Sequence, residues 1–528
     1  MDRRMLRTIC TVSMLLAIVA LGVADASIAR GVVFDDRDGD GVRAADEPGI
    51  AGVGVSNGRD VALTDDSGRW QLTVEDADTI FVIKPRGWRT AMDENGCWSG
   101  YYVHRRRGSP ALQYGGVEPT GALPRSIDFP LYRQDEPDRF KALIFGDPQV
   151  TTPWEVELLA RDVIGPIVTE GTDAVVSFSL GDIANNNLDM LPPLVDVMGK
   201  LGMPNFYLPG NHDENYDASS DRWSLETWSR VMGPEYYSLD WGPVHFIVLD
   251  DVVWHPATAE EKGRYTAGIH EEQMEFIRND LALVPKDRLV VYMFHIPLPG
   301  LANRAEFLAL FEGRPNVLGL SAHTHTQYHL FFGSDAGWWS DEQPHHHLVH
   351  VTSCGSWWRG PLDEHGIPAT PCRDGVPNGY SEISFDGNRY SIEYIPARRP
   401  RSYQVEIFAP TAVTADVAAA HRVYANVFAG SSRSIVEMRI DGGEWQAMVQ
   451  EGMPTEEDVA FYTTCFEESL KGLRREAKAV PPHVPTGSPH LWHESLPAGL
   501  TPGYHAIEVR TTDMFGQTYS ATRLFRID

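Results

Sequence analysis

Short and nearly continuous apolar runs recur through the middle of the chain, and polar side chains follow the ends of most of them. The runs lie at residues 140–145, 174–180, 205–209, 245–249, 289–294 and 317–320. Such runs are typical of strands covered on both faces, as in parallel sheets. Apolar residues at helical spacing predict helices near residues 154–169, 191–201 and 271–283. This region is therefore expected to be α/β.

The two ends of the chain show a different pattern, in which apolar and polar residues alternate between tight turns. Strands are predicted at residues 31–34, 79–83, 126–129, 403–407, 423–427, 435–440 and 505–510. This pattern predicts two β-sandwich-like domains, the second of immunoglobulin type and interrupted by a helical insertion near 456–478. With a polar linker at 132–137, the predicted parts are 1–26, 27–133, 134–397 and 398–528.

Residues 1–26 have the pattern of a signal peptide. Arg3, Arg4 and Arg7 precede an apolar stretch at about 9–23, and a small-x-small cleavage pattern follows at 24–26. A membrane anchor is the alternative, but the stretch is short for a span. Arg3-Arg4 is also compatible with a twin-arginine signal. We expect a periplasmic or secreted protein that begins near Ser27 and has no transmembrane segment after leader removal.

The 528-residue chain is acidic, with a formal net charge of −28. Without a basic stripe to release counterions, a nucleic-acid backbone is not an expected partner. Cys10 would be lost with the leader, which leaves Cys97, Cys354, Cys372 and Cys465 in a compartment that permits disulfides. Three full pairings remain open, and Cys354 with Cys372 is the nearest pair in the sequence.

An acidic loop near the start of the N-terminal domain fits the calcium-loop pattern D-x-[DN]-x-[DN]-G-x5-E. Its candidate ligands are Asp36, Asp38, Asp40 and Glu47. Oxygen ligands at alternate positions can surround a hard cation such as Ca²⁺. A plain acidic turn without an ion is the alternative.

Five strand ends in the α/β region carry side chains that bind metals. These are Asp147 and Gln149, Asp182, Asn211 with His212 and Asp213, His295, and His323 with His325. Right-handed crossovers between parallel strands bring such loops to one edge of a sheet. The two histidines of the last loop are expected to share one face, since side chains alternate along an extended segment.

Taken in this order, the five motifs resemble the calcineurin-like metallophosphoesterase family. Asp147-Pro148-Gln149, Gly181-Asp182, Gly210-Asn211-His212-Asp213, His295 and Ala322-His323-Thr324-His325 correspond to its pattern D-x-H, G-D, G-N-H-[DE], H and G-H-x-H. Two residues depart from that pattern: Gln149 replaces a histidine and Ala322 a glycine. The resemblance covers about residues 139–355, and the flanking domains are similar to those of exported three-part members.

The resemblance implies a four-layer α-β-β-α core flanked by the two β domains, and an exported phosphoesterase that hydrolyses phosphate mono- or diesters. It implies that Asp182 bridges two metals, with Asp147, Gln149 and His325 on the first and Asn211, His295 and His323 on the second. A metal-bridging hydroxide would attack phosphorus. His212 would protonate the leaving group, and Asp213 would orient His212. The ligand types favour Mn, Fe or Zn.

Substrate contacts are predicted for Asn185 and Asn186, which follow Asp182, and for Trp357 and Arg359. A packed aromatic corner is the alternative for the last two. We interpret the histidine run at 345–347 as structural, because alternation divides its rings between two faces. The alternative function is a surface or periplasmic binding module with a weakly active metal centre. The substrate and the oligomeric state stay open.

Overall fold

The computed structural model describes residues 27–450 and 487–528, together with positions 460, 463, 464, 467, 470, 471 and 473. The predicted leader with Cys10, and Cys465 with most of the predicted helical insertion, lie outside the described residues. Across the described part the chain is mixed α/β, as expected. Among the helices described there, none combines the length and the apolar character needed to cross a bilayer.

The N-terminal part consists of short strands in two sheets. These strands are β1 (Ser27–Asp35), β2 (Gly54–Ser56), β3 (Val61–Leu63), β4 (Arg69–Val74), β5 (Thr79–Val82), β6 (Trp88–Thr90), β7 (Tyr101–Val103) and β8 (Phe129–Arg133). Their orders are β4-β1-β8-β6 and β3-β2-β5-β7. Both sheets contribute to one apolar core. Strand β4 alternates exposed and buried residues, because its successive side chains point to opposite faces of the sheet.

The strand predicted at 126–129 lies further along the chain in the structure. Only the last residue of the strand expected at 126–129 is in β8, which continues through Arg133 into the predicted linker. Glu136 is buried and accepts a 2.5 Å hydrogen bond from the ammonium group of Lys84. The stretch therefore packs against both neighbouring parts, because a buried carboxylate needs a charged partner.

The α/β part contains two mixed sheets. Its strands are β9 (Arg139–Phe145), β10 (Ala174–Leu180), β11 (Asn205–Leu208), β12 (Tyr237–Trp241), β13 (Val244–Val248), β14 (Val252–His255), β15 (Arg264–Ala267), β16 (Val290–Met293), β17 (Val317–Ser321), β18 (Tyr328–Phe332), β19 (His345–Val349), β20 (Gly379–Asp386) and β21 (Arg389–Pro396). The first sheet has the order β11-β10-β9-β20-β21, and the second β12-β13-β16-β17-β19-β18. Strands β9, β10 and β11 are parallel, as are β13, β16, β17 and β19.

Helices accompany both sheets. They are α1 (Pro153–Leu159), α2 (Gly165–Glu170), α3 (Leu191–Gly199), α4 (Glu226–Val231), α5 (Glu271–Leu281) and α6 (Arg304–Ala309), and a π-helical turn at Ala160–Ile164 joins α1 to α2. Proline occupies the first turn of α1, α2 and α3, where its missing N–H is not needed. Helices α1 to α3 share a core with one side of the first sheet, while a second core contains residues of both sheets, α5 and α6.

The C-terminal part also contains two sheets over one apolar core. Its strands are β22 (Val405–Phe408), β23 (Ala412–Val413), β24 (Arg422–Val427), β25 (Ile435–Ile440), β26 (Gln446–Ala447), β27 (Val449–Gln450), β28 (Leu491–Ser495), β29 (Gly503–Thr512) and β30 (Thr518–Ile527). The orders are β22-β24-β28-β27 and β23-β30-β29-β25-β26.

A buried histidine connects α5 to the second sheet. The Nδ1 and Nε2 atoms of His245 lie 2.8 Å and 2.9 Å from carboxylate oxygens of Asp240 and Asp280. Burial by itself lowers the pKa of His245, but Asp280 and Asp240 outweigh burial and raise the pKa to about 9. Two carboxylates can both accept only from a doubly protonated ring.

This arrangement predicts a pH-dependent stability. Since the folded-state pKa of His245 is raised, its contribution is fully present below the ordinary pKa of 6.5 and is lost as the pH rises through about 9. The contribution is of the order of a few kcal/mol. We expect the melting temperature to fall over this range, and the variant His245→Gln to show a smaller fall. Thermal scans of both proteins from pH 6 to 10 measure the difference, and equal slopes would contradict the assignment.

Candidate metal centre and active site

The loops that follow β9, β10, β11, β16 and β17 converge on one buried cluster. Asp147, Asp182, Asn211, His295 and His325 are each almost completely removed from solvent. Gly210 is needed at this point, since a side chain there would place Cβ 2.2 Å from the backbone nitrogen of Asp182. The cluster lies at the carboxyl ends of parallel strands, the usual site of chemistry in α/β proteins.

The first predicted ligand group surrounds Asp147. The Nε2 atom of His325 lies 3.3 Å from Oδ2 of Asp147. The Nδ1 atom of His325 lies 2.5 Å from the carbonyl oxygen of Gly355. A carbonyl only accepts, so Nδ1 carries the proton and Nε2 is left as an acceptor or a metal ligand. Gln149 lies beside this pair, and its amide nitrogen donates to Asp182 at 3.1 Å.

The second predicted ligand group lies on the other side of Asp182. The Nδ1 atom of His295 donates to the carbonyl oxygen of Leu180 at 2.8 Å, and its Nε2 lies 3.2 Å from Oδ1 of Asp182. Asp182, His295 and His323 each offer one ligand atom, and these atoms all lie within 4.8 Å of one another. Asn211 is placed by the next residue, His212, whose backbone N–H donates to Asp182 at 2.9 Å.

The backbone of the centre is strained. Positive φ angles occur at Asp147 (33°), Gln149 (43°), Asp182 (48°), His323 (66°) and His325 (54°). Non-glycine residues in this region cost on the order of 1–3 kcal/mol each and persist only where the surroundings hold them. Such strain concentrates at functional sites.

Burial determines the protonation of the ligand groups. It lowers the pKa of His323 to about 3 and that of His325 to about 4, so both rings are neutral, as metal binding requires. Burial, reinforced by Asp182, raises the pKa of Asp147 to about 8. Burial also opposes the charge of Asp182, but His295 and His212 outweigh it and hold the pKa of Asp182 below its usual range.

Two buried oxygens in the cluster indicate that these residues fit metal ions. Oδ2 of Asp147 and Oδ1 of Asn211 are both inaccessible and make no hydrogen bond. Buried oxygens without a partner are destabilising, and a cation would satisfy both. Carboxylate, amide and imidazole ligands together suit divalent transition metals.

Comparison with known protein families gives matches on both sides of this centre. The family model for the N-terminal part of calcineurin-like phosphoesterase matches residues 37–113, and the model for its C-terminal part matches residues 347–519. The chain is a calcineurin-like metallophosphoesterase. Both the family and the expected class of enzyme, a metal-dependent phosphoester hydrolase, are therefore confirmed.

Solved structures show weaker similarity to this phosphoesterase. Purple acid phosphatase PPD1 from yellow lupin (Lupinus luteus) is 12% identical with a TM-score of 0.36, and the match covers 71% of this chain and 67% of that chain. PhoD is 11% identical with a TM-score of 0.36, and the match covers 70% and 85%. Neither similarity is close enough to add to the assignment. No curated protein matches the sequence.

One predicted role in the phosphoesterase was wrong. Asp213 does not orient the ring of His212, because its carboxylate accepts from the backbone N–H groups of Ile183, Ala184 and Gly210 at 2.7–3.0 Å. The side-chain oxygen of Asn186 instead lies 2.7 Å from Nδ1 of His212. Asp213 therefore holds the loops together, and Asn186 orients the ring.

The other predicted substrate residues fall into two groups. The side-chain amide of Asn185 donates to the hydroxyl of Thr151 at 2.9 Å. Trp357 stacks on His325 with ring centroids 4.0 Å apart, and the guanidinium of the exposed Arg359 lies 5.9 Å from the Trp357 ring. Trp357 therefore packs against one predicted ligand of the centre, and Arg359 lies next to Trp357.

The acidic loop of the N-terminal domain brings three of its four predicted ligands together. Carboxylate oxygens of Asp36, Asp38 and Asp40 lie within 4.8 Å of one another. Glu47 is not part of this group, because its carboxylate accepts from the backbone N–H groups of Arg37 and Ala44 at 2.7 Å and 2.9 Å. Glu47 therefore closes the loop by accepting hydrogen bonds from its backbone.

The disulfide suggested for Cys354 and Cys372 is wrong, since both are free buried thiols. The sulfur of Cys354 lies 3.8 Å from Oε1 of Gln149 and 3.8 Å from Nδ1 of His325, so this thiol contacts the metal centre. Nearness in sequence did not predict a disulfide, because that bond also requires a suitable distance and orientation of the two Cβ atoms.

The histidine run at 345–347 is structural, as interpreted. His345 lies 2.6 Å from the hydroxyl of Tyr292, His347 lies 2.8 Å from that of Ser321, and His346 lies 2.8 Å from His329. The middle ring therefore has a different set of neighbours from the outer two, as alternation predicts.

Sequence analysis missed two acidic residues at the centre of the phosphoesterase. The carboxylate of Asp251 accepts from the backbone N–H groups of His295 and Ile296 at 3.0–3.1 Å and so holds the loop of that ligand. Glu214 is buried, and neither of its carboxylate oxygens has a hydrogen-bond partner. Burial and Asp250 raise its pKa to about 10. Glu214 directly follows a predicted motif and Asp251 follows a predicted apolar run, but the sequence alone did not show which neighbours they face.

Proposed function

We propose that the protein is an exported, dinuclear-metal phosphoesterase that hydrolyses phosphate mono- or diesters. The observation that carries this proposal is the buried cluster, in which one carboxylate oxygen of Asp147 and the side-chain oxygen of Asn211 lack partners beside the neutral rings of His323 and His325. Such a set is unfavourable without cations and well suited to them.

In this proposal Asp182 bridges two metal positions, because it contacts residues of both ligand groups. Asp147, Gln149 and His325 hold the first metal, and Asn211, His295 and His323 hold the second. Bound Mn, Fe or Zn ions supply Lewis acidity, which acidifies water and neutralises phosphate oxygens. The protein residues fix the ligands, and Trp357 limits access on one side.

His212 is proposed to protonate the leaving group. Its ring is partly exposed, whereas the predicted ligands Asp147 and Asp182 are buried beneath it. Asn186 accepts from Nδ1, which leaves Nε2 for the substrate side. Arg359 is proposed to contact substrate from the other side of the mouth.

The remaining features of the proposal rest on the sequence. They are a cleaved leader at 1–26, a periplasmic or secreted location, domains at 27–133, 134–397 and 398–528, a four-layer α-β-β-α core between two β-sandwich-like domains, and no nucleic-acid partner. A calcium ion at Asp36, Asp38 and Asp40 is a further part of it, supported by the closeness of the three carboxylates.

Metal analysis combined with turnover tests the proposal. Purified mature protein is expected to contain about two divalent transition metals per chain and to hydrolyse p-nitrophenyl phosphate or its bis-ester. Calcium alone with no turnover would instead support a binding module with a weakly active metal centre. Gln149 favours that alternative, because its amide is a neutral ligand. Chelation followed by return of single metals identifies the active ion.

Gln149→His is expected to tighten the first metal position. Imidazole is generally a stronger ligand than an amide oxygen for Zn²⁺ and similar ions. Competition against a metal chelator should show tighter binding of one Zn²⁺ and little change in the second. An Asn at the same position is the matched control, since it keeps the amide. Unchanged zinc affinity in Gln149→His would show that residue 149 is not a ligand.

A further inference from the structure

A chain of buried polar groups joins the C-terminal domain to the loop that carries His323 and His325. The carboxylate of Asp374 is at its centre. One oxygen of Asp374 accepts from the backbone N–H of Gln327 at 2.5 Å and lies 3.0 Å from Nε2 of His490. Because a carboxylate only accepts, Nε2 of His490 is the donor.

Two further hydrogen bonds hold the metal-ligand loop. The backbone N–H of Arg373 donates to the carbonyl oxygen of His325 at 2.8 Å. The side-chain oxygen of Gln327 accepts from the backbone N–H of Val351 at 3.1 Å. The loop is therefore fixed at His325 itself and at Gln327, two residues further on.

Residues of the C-terminal domain hold His490 and Asp374 in turn. The hydroxyl of Ser488 lies 3.0 Å from Nδ1 of His490, and the amide nitrogen of Asn426 donates to the carbonyl oxygen of Asp374 at 3.0 Å. Asp374, Asn426 and His490 are all completely buried. Polar groups at such depth are strongly coupled, because no water can replace a lost partner.

The strained ligand loop needs this support. His323 and His325 have φ angles of 66° and 54°, a conformation that non-glycine residues keep only where neighbouring structure determines it. Without the Asp374–Gln327 bond the loop loses a fixed point two residues from His325. The loop could then adopt several conformations, only one of which places the His325 ring next to Asp147.

We propose that His490 and Asp374 are positioning residues, through which the C-terminal domain fixes His323 and His325 for metal binding. This inference rests on the proposed function, since it takes both histidines as ligands. It gives the C-terminal domain a role in the metal centre through a residue, His490, that does not itself bind the metal.

The test compares His490→Leu, which removes the donor, with His490→Gln, whose side-chain amide can replace it. Metal affinity is measured by chelator competition, and hydrogen exchange of residues 322–330 is measured in metal-free protein. We expect His490→Leu to bind metal about 10–100-fold more weakly, as is usual for partners of metal ligands. Its loop should also exchange faster. His490→Gln should keep most of both properties.

His505→Leu is the matched control. His505 also pairs with a carboxylate, that of the exposed Asp441 at 2.6 Å, but both residues belong to the C-terminal domain. We expect it to lower the melting temperature without changing metal affinity or loop exchange. The proposal is overturned if His490→Leu retains wild-type affinity and exchange, or if His505→Leu impairs them equally.

Asp374→Asn serves if His490→Leu does not fold. It keeps the volume of Asp374 but replaces one acceptor oxygen by a donor, so the same loss of metal affinity is expected, and wild-type affinity would overturn the proposal. Asp182→Asn separates this inference from the proposed function. If Asp182→Asn abolishes metal binding while the His490 variants do not, only the positioning role fails.

Discussion

Asp182→Asn is expected to reduce turnover of a phosphate ester by roughly a thousandfold or more and to remove at least one metal. The side chain of Asp182 contacts side chains of both ligand groups, Gln149 of the first and His295 of the second. An amide keeps the volume but lacks the charge that two cations require. Loss of several kcal/mol of transition-state stabilisation corresponds to this factor.

The measurement is kcat/KM on p-nitrophenyl phosphate and its bis-ester, with metal content determined on the same samples. Asp196→Asn is the matched control, because Asp196 is an exposed residue paired with Lys200 on the surface of α3. It should match the wild-type protein in both quantities. An Asp182→Asn protein that holds two metals and turns over normally would show that the bridging ligand lies elsewhere.

The strand ends of the α/β part could be predicted because their signals are local. Ala174–Leu180 has the predicted bounds, and all its residues except Val175 are buried, as expected of a nearly continuous apolar run between polar loops. The helix predicted near 154–169 is real, but its π-helical turn at Ala160–Ile164 leaves no trace in the spacing of apolar residues. The five motifs then located the cluster, because parallel crossovers determine where strand ends meet.

Contacts between loops could not be predicted in the same way. Whether Asp213 or Asn186 faces the ring of His212 depends on the relative placement of two loops, and the structure favours the asparagine. Periodicity describes which face of an element a residue occupies and not which residue lies opposite. For the same reason, the sequence did not show that Glu214 is buried at the centre or that the predicted linker contains the buried Glu136.

The position of Asn186 sharpens the expectation for His212. Because Asn186 accepts from Nδ1, Nε2 faces the substrate side, and the doubly protonated ring can give its Nε2 proton to a departing alkoxide. The loss of that proton donor affects only reactions that need it. We expect His212→Asn to lower hydrolysis of an alkyl phosphate by about 10²–10⁴-fold, the usual contribution of a general acid. The loss on p-nitrophenyl phosphate should be much smaller, because p-nitrophenolate leaves without a proton.

The comparison of the two esters separates proton donation from binding. A residue that only binds phosphate would reduce both reactions equally, since the phosphoryl group is common to them. Metal content should remain that of the wild-type protein, because the ring of His212 is not among the proposed ligands. Asn186→Ala keeps the imidazole but frees its orientation, so a partial loss confined to the alkyl ester is expected. Equal losses on both esters in His212→Asn would leave the general-acid role without support and assign His212 to phosphate binding.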